Sequence, residues 1–313
     1  MLLIINPISG TSDKQGLADR IVASLGARGI DVQIACTERA GHATELAAQA
    51  VAEGFDAVLA CGGDGTVNET ATAMCGTGVP LGIIPAGSGN GLARHMEIPM
   101  DAMASLDVIA EGHVEDCDYG TVNGRPFFCT FGVGFDAAVS DRFASSGSRG
   151  KLTYVRSAIA ELMHYRPRHY RMVVDGRSVE CDAFILACAN ASQYGNNAYI
   201  APHASIRDGM LDLIAVASNT PLSTAMMGID MMSGTLDHNR TVEVFRFRHA
   251  VIERDEDGPG HIDGEPATLG RRMEVECHPG QLRLFTRRDK RPFRPIITPA
   301  RSMLEELMLR LHI

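Results

Sequence analysis

The 313-residue chain contains no Cys-x-x-Cys pair, although it carries eight cysteines. They stand at 36, 61, 75, 117, 129, 181, 188 and 277, mostly inside apolar runs. Scattered in this way they read as small buried hydrophobes of a reducing compartment, which excludes a disulfide scaffold and a zinc site. There is no excess of positive charge either: 29 Lys and Arg against 38 Asp and Glu leave −9. That balance argues against nucleic acid as a partner and against global attraction to an anionic membrane. No apolar run approaches the roughly 20 residues of a membrane span. The opening Met1–Pro7 lacks a basic n-region and its apolar run stops at Ile5, so it reads as a strand and not as a signal peptide. A cytoplasmic protein is expected. Also missing are the G-x-x-x-x-G-K-[ST] phosphate loop and the G-x-G-x-x-G dinucleotide fingerprint. The stretch Gly147–Lys151 has the wrong spacing for either and reads as a loop.

What is present describes a globular protein of one large or two ordinary domains, 45% hydrophobic and 21% charged. Through about residue 98 strands and helices alternate. Met1–Ile5 reads as a strand, Leu17, Ile21 and Leu25 as one helix face, and 30–36 as a strand leading to Thr37. A helix over 43–51, a strand over 55–61, a helix from Thr66 and a strand over Pro80–Pro85 follow, and Asp101 can cap a helix through Ile109. The pattern predicts a parallel α/β sheet whose loops at 6–10, 37, 62–66 and 86–91 line one crevice. After about residue 115 the hairpin signals Asn123-Gly124 and Asp175-Gly176 appear. Short strands are predicted at 126–131, 210–217, 241–247, 273–277 and 282–286, with helices at 152–164 and 222–232. The reading is an α/β domain over 1–118 and a mostly antiparallel β-sandwich domain over 119–295. In the tail, a basic run at 287–294 precedes an amphipathic helix at 302–313, expected to dock on the first domain, with a membrane-surface anchor as the alternative.

Three stretches carry chemistry. The strand Phe55–Cys61 empties into Gly62-Gly63-Asp64-Gly65, and Thr66 and Glu69 have capping-box spacing. A strand, a glycine turn and a helix N-terminus together make a phosphate cradle. Asp64 is out of place in it, since a carboxylate repels phosphate unless a cation or a proton transfer intervenes. His261–Pro266 puts Asp263 and Glu265 on a tight turn, either an ordinary β-turn or the seat of a carboxylate general base. Arg207–Asp212 is a second acidic turn, either plain or suited to a hard cation such as Mg2+.

The octapeptide Gly62–Glu69 resembles the signature of the diacylglycerol kinase catalytic domain, a family that includes sphingosine kinases and bacterial soluble lipid kinases. Asn6–Gly10 resembles that family's opening N-P-x-[SA]-G, and Leu81–Asn90 its L-G-x-[IL]-P-x-G-[TS]-x-N loop. Gly132–Ala137, Asp208-Gly209 and Asp263–Pro266 recur in the family's order, so the resemblance spans residues 1 to about 285. It implies ATP bound between the two domains, in contact with Asn6, Pro7, Ser9, Gly10, Thr37, Gly62, Gly63, Asp64, Gly65, Thr66, Asn68, Glu69, Gly87, Ser88 and Asn90. It implies Glu265 or Asp263 as proton acceptor, with Glu265 favoured, and Asp64 at the nucleotide's metal and phosphates. A Mg2+ at Asp208, with backbone oxygens near Ser205 and Met210, is implied as well. The activity expected from the resemblance is transfer of the γ-phosphate of ATP to the hydroxyl of a diacylglycerol- or sphingoid-type lipid, met by peripheral contact with a membrane surface. A homodimer is admitted. Gly91 departs from the family pattern: many bacterial diacylglycerol kinases carry Asp there, and Gly-Ser-Gly-Asn-Gly is closer to the sphingosine and ceramide kinase loop, so both acceptor classes stay open. An NAD kinase, which shares Gly-Gly-Asp-Gly-Thr, and a non-catalytic nucleotide- or lipid-binding regulator are the alternatives. The first fits the Asn6–Gly10 opening and the later motifs less well, and the second has no need of a base.

Overall fold

The structure, a computed structural model, describes residues 1–7, 14–135, 137–138, 165–217 and 221–288. Ser9, Gly10, the 147–151 loop, most of the basic run and the helices expected at 152–164 and 302–313 lie outside the described residues. The first part alternates β1 (Leu2–Ile5), α1 (Lys14–Gly26), β2 (Gln33–Cys36), α2 (His42–Ala52), β3 (Val58–Gly62), α3 (Asp64–Met74) and β4 (Leu81–Pro85). α4 (Gly91–His95) and α5 (Ala102–Ala110) follow. The four strands are parallel in the order β2-β1-β3-β4. Alternate side chains of a strand point to opposite faces; both faces of β1, β3 and β4 are covered, which is why these three read as unbroken apolar runs, while the edge strand β2 stays largely exposed. Leu3, Ile5, Leu59 and Ile84 pack on α1 and α5 through Ile21, Leu25, Leu106 and Ile109. Leu2, Ile4, Val58 and Ile83 pack on α2 and α3 through Ala43, Ala47, Val67 and Ala71. Asp101 caps α5 as expected, its carboxylate accepting the Ala104 N–H at 2.9 Å.

The second part comprises β5 (Val114–Val122), β6 (Arg125–Phe127), β7 (Thr130–Gly134), β8 (Arg168–Val174), β9 (Arg177–Ala183), β10 (Ile185–Ala189) and β11 (Leu211–Val216). After α6 (Pro221–Ser233) come β12 (Val242–Phe247), β13 (His249–Arg254), β14 (Gly258–Ile262), β15 (Glu265–Leu269) and β16 (Arg272–Phe285). Both predicted hairpins form, with left-handed φ at Asn123 and Gly124 and at Asp175 and Gly176, as a two-residue primed turn requires. β12-β11-β10-β7-β14-β15 make a six-stranded sheet. It packs as one half of a β-sandwich, with Phe131, Leu186, Leu213 and Phe247 against Phe127, Tyr170, Ile252 and Met273 of the other half. That other half is continuous with the parallel sheet, because β16 pairs with β4 in parallel at Leu284 and Leu81 and the combined sheet has ten strands. The expected boundary at 118–119 therefore falls inside β5. The predicted strands 273–277 and 282–286 are one long strand, interrupted by a bulge between His278 and Leu282. The predicted strand 126–131 is two, broken at Phe128-Cys129. No helix among the described residues is long and apolar enough to cross a membrane.

Candidate active site

The C-terminal ends of β1 to β4 deliver Asn6, Thr37, Gly62-Gly63 and Gly87-Ser88 to one edge of the sheet. α3 starts at Asp64, two residues before the predicted Thr66, with Gly63 as an N-cap that makes no side-chain cap bond. No N-cap side chain thus satisfies its first N–H groups, at an end where the helix dipole favours an anion. Thr66 is buried beneath this turn, 3.4 Å from Asn6 Nδ2. A Cβ on Gly62 would lie 2.4 Å from the Thr66 hydroxyl, so only glycine lets the turn close. Ser88 is exposed on the opposite rim.

The structure assigns the other residues of the octapeptide to architecture. Glu69 does not close a capping box on α3; its carboxylate accepts the N–H groups of Gly41 and Ala43 at 2.9 and 3.1 Å and caps α2. Asn68 donates to Asp263 Oδ2 at 2.7 Å, tying α3 to the β-sandwich. Asn90 hydrogen-bonds Gly87 N and O and shapes its own loop. Asp64 does not face the cradle. Its two oxygens accept the N–H groups of Asn90 (2.8 Å) and Gly91 (2.6 Å), supplying α4 with the cap that its own N-cap residue lacks. Burial pushes the Asp64 pKa up, and these amides oppose the shift. The Asp64 carboxylate, expected at the nucleotide's metal and phosphates, thus orders the loop that ends in Asn90-Gly91. Gly91 has a local reason as well: a Cβ there would stand 3.2 Å from Cys129 Sγ and 3.5 Å from the backbone of Gln193 and Gly195, leaving little room for the Asp of other loops.

Asp263 and Glu265, alike in sequence, are sorted by the fold. The amides of Phe128, Cys129 and Thr130 converge on Asp263 at 2.9, 2.8 and 2.9 Å, and the Asn68 amide adds a fourth donor. This convergence is the reason that the strand breaks at Phe128-Cys129. Asp263 itself has φ 48° and Gly264 φ 83°, a tight turn that delivers Glu265 to the other side. Glu265 is exposed, and its carboxylate has neither a hydrogen-bond nor an ion-pair partner among the described residues. Its Oε1 would lie 3.7 Å from a Cβ placed on Gly65, directly over the start of α3.

The Asp208 turn does not fit a resident metal. Asp208 Oδ1 accepts the Met210 N–H at 3.1 Å, its Oδ2 pairs with Arg246, and the Ser205 hydroxyl accepts the Arg207 N–H at 3.3 Å. Arg246 also stands 3.7 Å from Asp212. A guanidinium thus supplies from within the cation expected at Asp208, Ser205 and Met210. EDTA should leave the melting temperature of the nucleotide-free protein unchanged within about 1 °C, since no bound ion is lost. A fall that Mg2+ reverses would overturn this arrangement.

Three residues that the sequence did not single out frame the site, Asp118 and Asn190 buried and His95 half-buried. Asp118 accepts the N–H groups of Gly209 and Gly280, both at 2.7 Å, and anchors the Asp208 turn to the β16 bulge. Asn190 donates to Asp118 O and Phe128 O at 3.0 and 2.8 Å. His95 Nδ1 accepts the Ser192 N–H at 3.1 Å and so joins α4 to the sandwich. Burial, assisted by the charge of Arg207, lowers the His95 pKa from 6.5 to about 4. The folded protein therefore prefers the neutral ring. Its stabilising contribution is complete above about pH 6.5 and is lost as pH falls towards 4. Melting temperature should fall across that window in the native protein and less steeply in His95→Gln; equal slopes would remove His95 from the account.

The chain matches the family model for the diacylglycerol kinase catalytic domain over residues 1–122 and that for the YegS C-terminal NAD kinase beta sandwich-like domain over 129–286. It is 36% identical over 225 residues to a diacylglycerol kinase of Mycobacterium tuberculosis, covering 69% of this chain and 73% of that one. It is 29% identical over 314 residues to a Xanthomonas campestris protein named "Probable lipid kinase YegS-like", covering 96% of this chain and 97% of that protein. A crystal structure of a diacylglycerol kinase from Bacillus anthracis superposes with a TM-score of 0.71 at 21% identity, over 92% of this chain and 96% of that one, a likeness of fold.

Proposed function

The chain belongs to the diacylglycerol kinase family and is a kinase; from that premise we propose that it transfers the γ-phosphate of MgATP to the hydroxyl of a diacylglycerol- or sphingoid-type lipid. The observation that carries the reading is the Glu265 carboxylate, unpartnered among the described residues and poised over the start of α3. Phosphoryl transfer asks the protein for positioning and charge stabilisation more than for covalent chemistry. The N-terminal amides of α3 and the 86–90 loop hold the phosphates, with Asn6 and Thr37 lining the same edge. Glu265 accepts the proton of the acceptor hydroxyl as that oxygen bonds to the γ-phosphorus and the bridging oxygen leaves with ADP. Asp64 and Asp263 act as positioning residues, the first for the phosphate loop and the second for the turn that carries Glu265. The acceptor lies in a membrane, which a protein without a spanning helix among its described residues would meet by transient contact from the cytoplasm.

The test is label transfer from γ-labelled ATP to mixed micelles of diacylglycerol, ceramide, sphingosine and monoacylglycerol, with NAD in a parallel tube. Label in one lipid is expected and identifies the acceptor. Label in NAD alone would replace this reading with the NAD kinase one. ATP binding without any transfer would favour a regulator.

A further inference from the structure

We propose that α6 is the element by which this protein seats itself on a bilayer, its outer face entering the hydrocarbon of neutral lipid. The proposal rests on the lipid kinase reading for its occupant and on α6 itself for its place. The helix lies on the outer side of the six-stranded sheet, with Met227 buried among Ile200, Ile214, Val216 and Leu236. On the other side Met226, Ile229 and Met232 are 49%, 49% and 42% exposed, at the three-residue spacing that keeps side chains on one helix face. Six large hydrophobic residues among those described are exposed to this degree, and three of them are on this helix. No Lys or Arg occurs in Pro221–Ser233. Its single carboxylate, Asp230, accepts a hydrogen bond from Asn239 Nδ2 at 2.7 Å and is held by the body of the protein. Two of the three exposed residues are methionines, flexible side chains that adapt to irregular apolar surroundings.

The patch is small. Its three side chains offer roughly 300 Å2, against the about 800 Å2 that each partner contributes to a stable protein interface. Shallow insertion of one apolar helix face needs no such area. The net charge of −9 likewise disfavours an anionic surface and points to neutral lipid. The position of α6 ties it to the site. Met231 O accepts the Tyr199 N–H at 2.9 Å, at the end of a strap that begins at Gln193. That strap backs the phosphate loop: Asn196 N donates to Gly89 O at 3.4 Å, and Arg94 bridges Gly89 O and Asn197 Oδ1 at 2.8 and 3.2 Å. Gly195, Asn196 and Asn197 all have left-handed φ, so the strap is held in a conformation that its surroundings impose. A helix seated in lipid is therefore one backbone hydrogen bond from the strap that backs the phosphate site.

The chain contains no tryptophan, so Ile229→Trp places a single reporter on the exposed face. With phosphatidylcholine vesicles carrying dioleoylglycerol, its emission should shift to the blue and be quenched by acyl-chain-brominated phosphatidylcholine. Ile229→Asp, made at an exposed position and checked for an unchanged melting temperature, should reduce co-sedimentation with these vesicles by roughly tenfold. Turnover of vesicle-borne diacylglycerol should fall with it, while turnover of a monomeric short-chain diacylglycerol stays within about twofold of the native protein. Emission unchanged by vesicles, or native sedimentation of Ile229→Asp, overturns the proposal and transfers membrane contact to another element. The fluorescence reading needs no turnover. If the native protein phosphorylates neither acceptor, diacylglycerol is struck out as its substrate while the seating of α6 is still decided.

Discussion

Replacing Glu265 by Gln should lower turnover roughly 10²–10⁴-fold, the range for loss of a general base, and leave ATP affinity within about twofold. The expectation rests on what the two acidic residues of the turn are already doing. Asp263 is surrounded by four donors, two on each of its oxygens. Glu265 has no partner among the described residues and overlooks Gly65 in the first turn of α3. Gln keeps the size and shape of the side chain, so binding and stability should be spared and the loss should appear in the chemical step. Steady-state kinetics on the accepted lipid, together with calorimetric titration of ATP into the variant, separate the two effects. If ATP binding falls as far as turnover, Glu265 is holding the nucleotide and its role as proton acceptor is lost. If neither changes, the base lies elsewhere.

The parts of this protein legible in its sequence are those set by neighbouring residues. The parallel strands β1, β3 and β4 announced themselves because both of their faces are buried, and Asn123-Gly124, Asp175-Gly176 and Asp263-Gly264 because two-residue turns demand positive φ. The cap of Asp101 on α5 is a contact across three positions and was legible for the same reason. What escaped was decided at long range. Thr66 and Glu69 have the spacing of a local cap, yet the start of α2 competes for Glu69 and wins with two N–H groups. Phe128-Cys129 lies within an apolar run that predicts an unbroken strand. The ladder gives way there because three amides serve a carboxylate more than 130 positions later. The pairing of β16 with β4 is of the same kind: nothing near Leu81 or Leu284 announces that the sandwich extends the parallel sheet. In the site, residue types and spacing identified the candidates, and long-range hydrogen bonds decided which of them are engaged by the fold. Asp64, Asn68, Glu69 and Asn90 became framework, and the Glu265 carboxylate was left without a partner among the described residues.

Asp263→Ala should cost about 3–5 kcal/mol of folding stability, the range for removing one partner of a buried charged network. The substitution leaves the amides of Phe128, Cys129 and Thr130 and the side chain of Asn68 without their acceptor. Each buried donor left unpaired costs about 1–3 kcal/mol, offset where water can enter. The turn also suffers, because Asp tolerates the left-handed φ of 48° far better than Ala does. Against a total stability of about 5–15 kcal/mol, the loss should be plain in urea denaturation, with the midpoint lowered and the slope unchanged. Asp263→Asn is the companion measurement. It tolerates the same φ and keeps one oxygen, but sets an NH2 group against the Phe128 and Asn68 donors, so an intermediate loss is expected. Its kinetic signature should differ from that of Glu265→Gln. A turn that no longer holds Glu265 in register should lower turnover in proportion to stability, whereas Glu265→Gln lowers turnover at native stability. Wild-type unfolding of Asp263→Ala would mean that its carboxylate does not clamp the turn. The division between a residue that accepts the proton and one that positions it would then have to be drawn again.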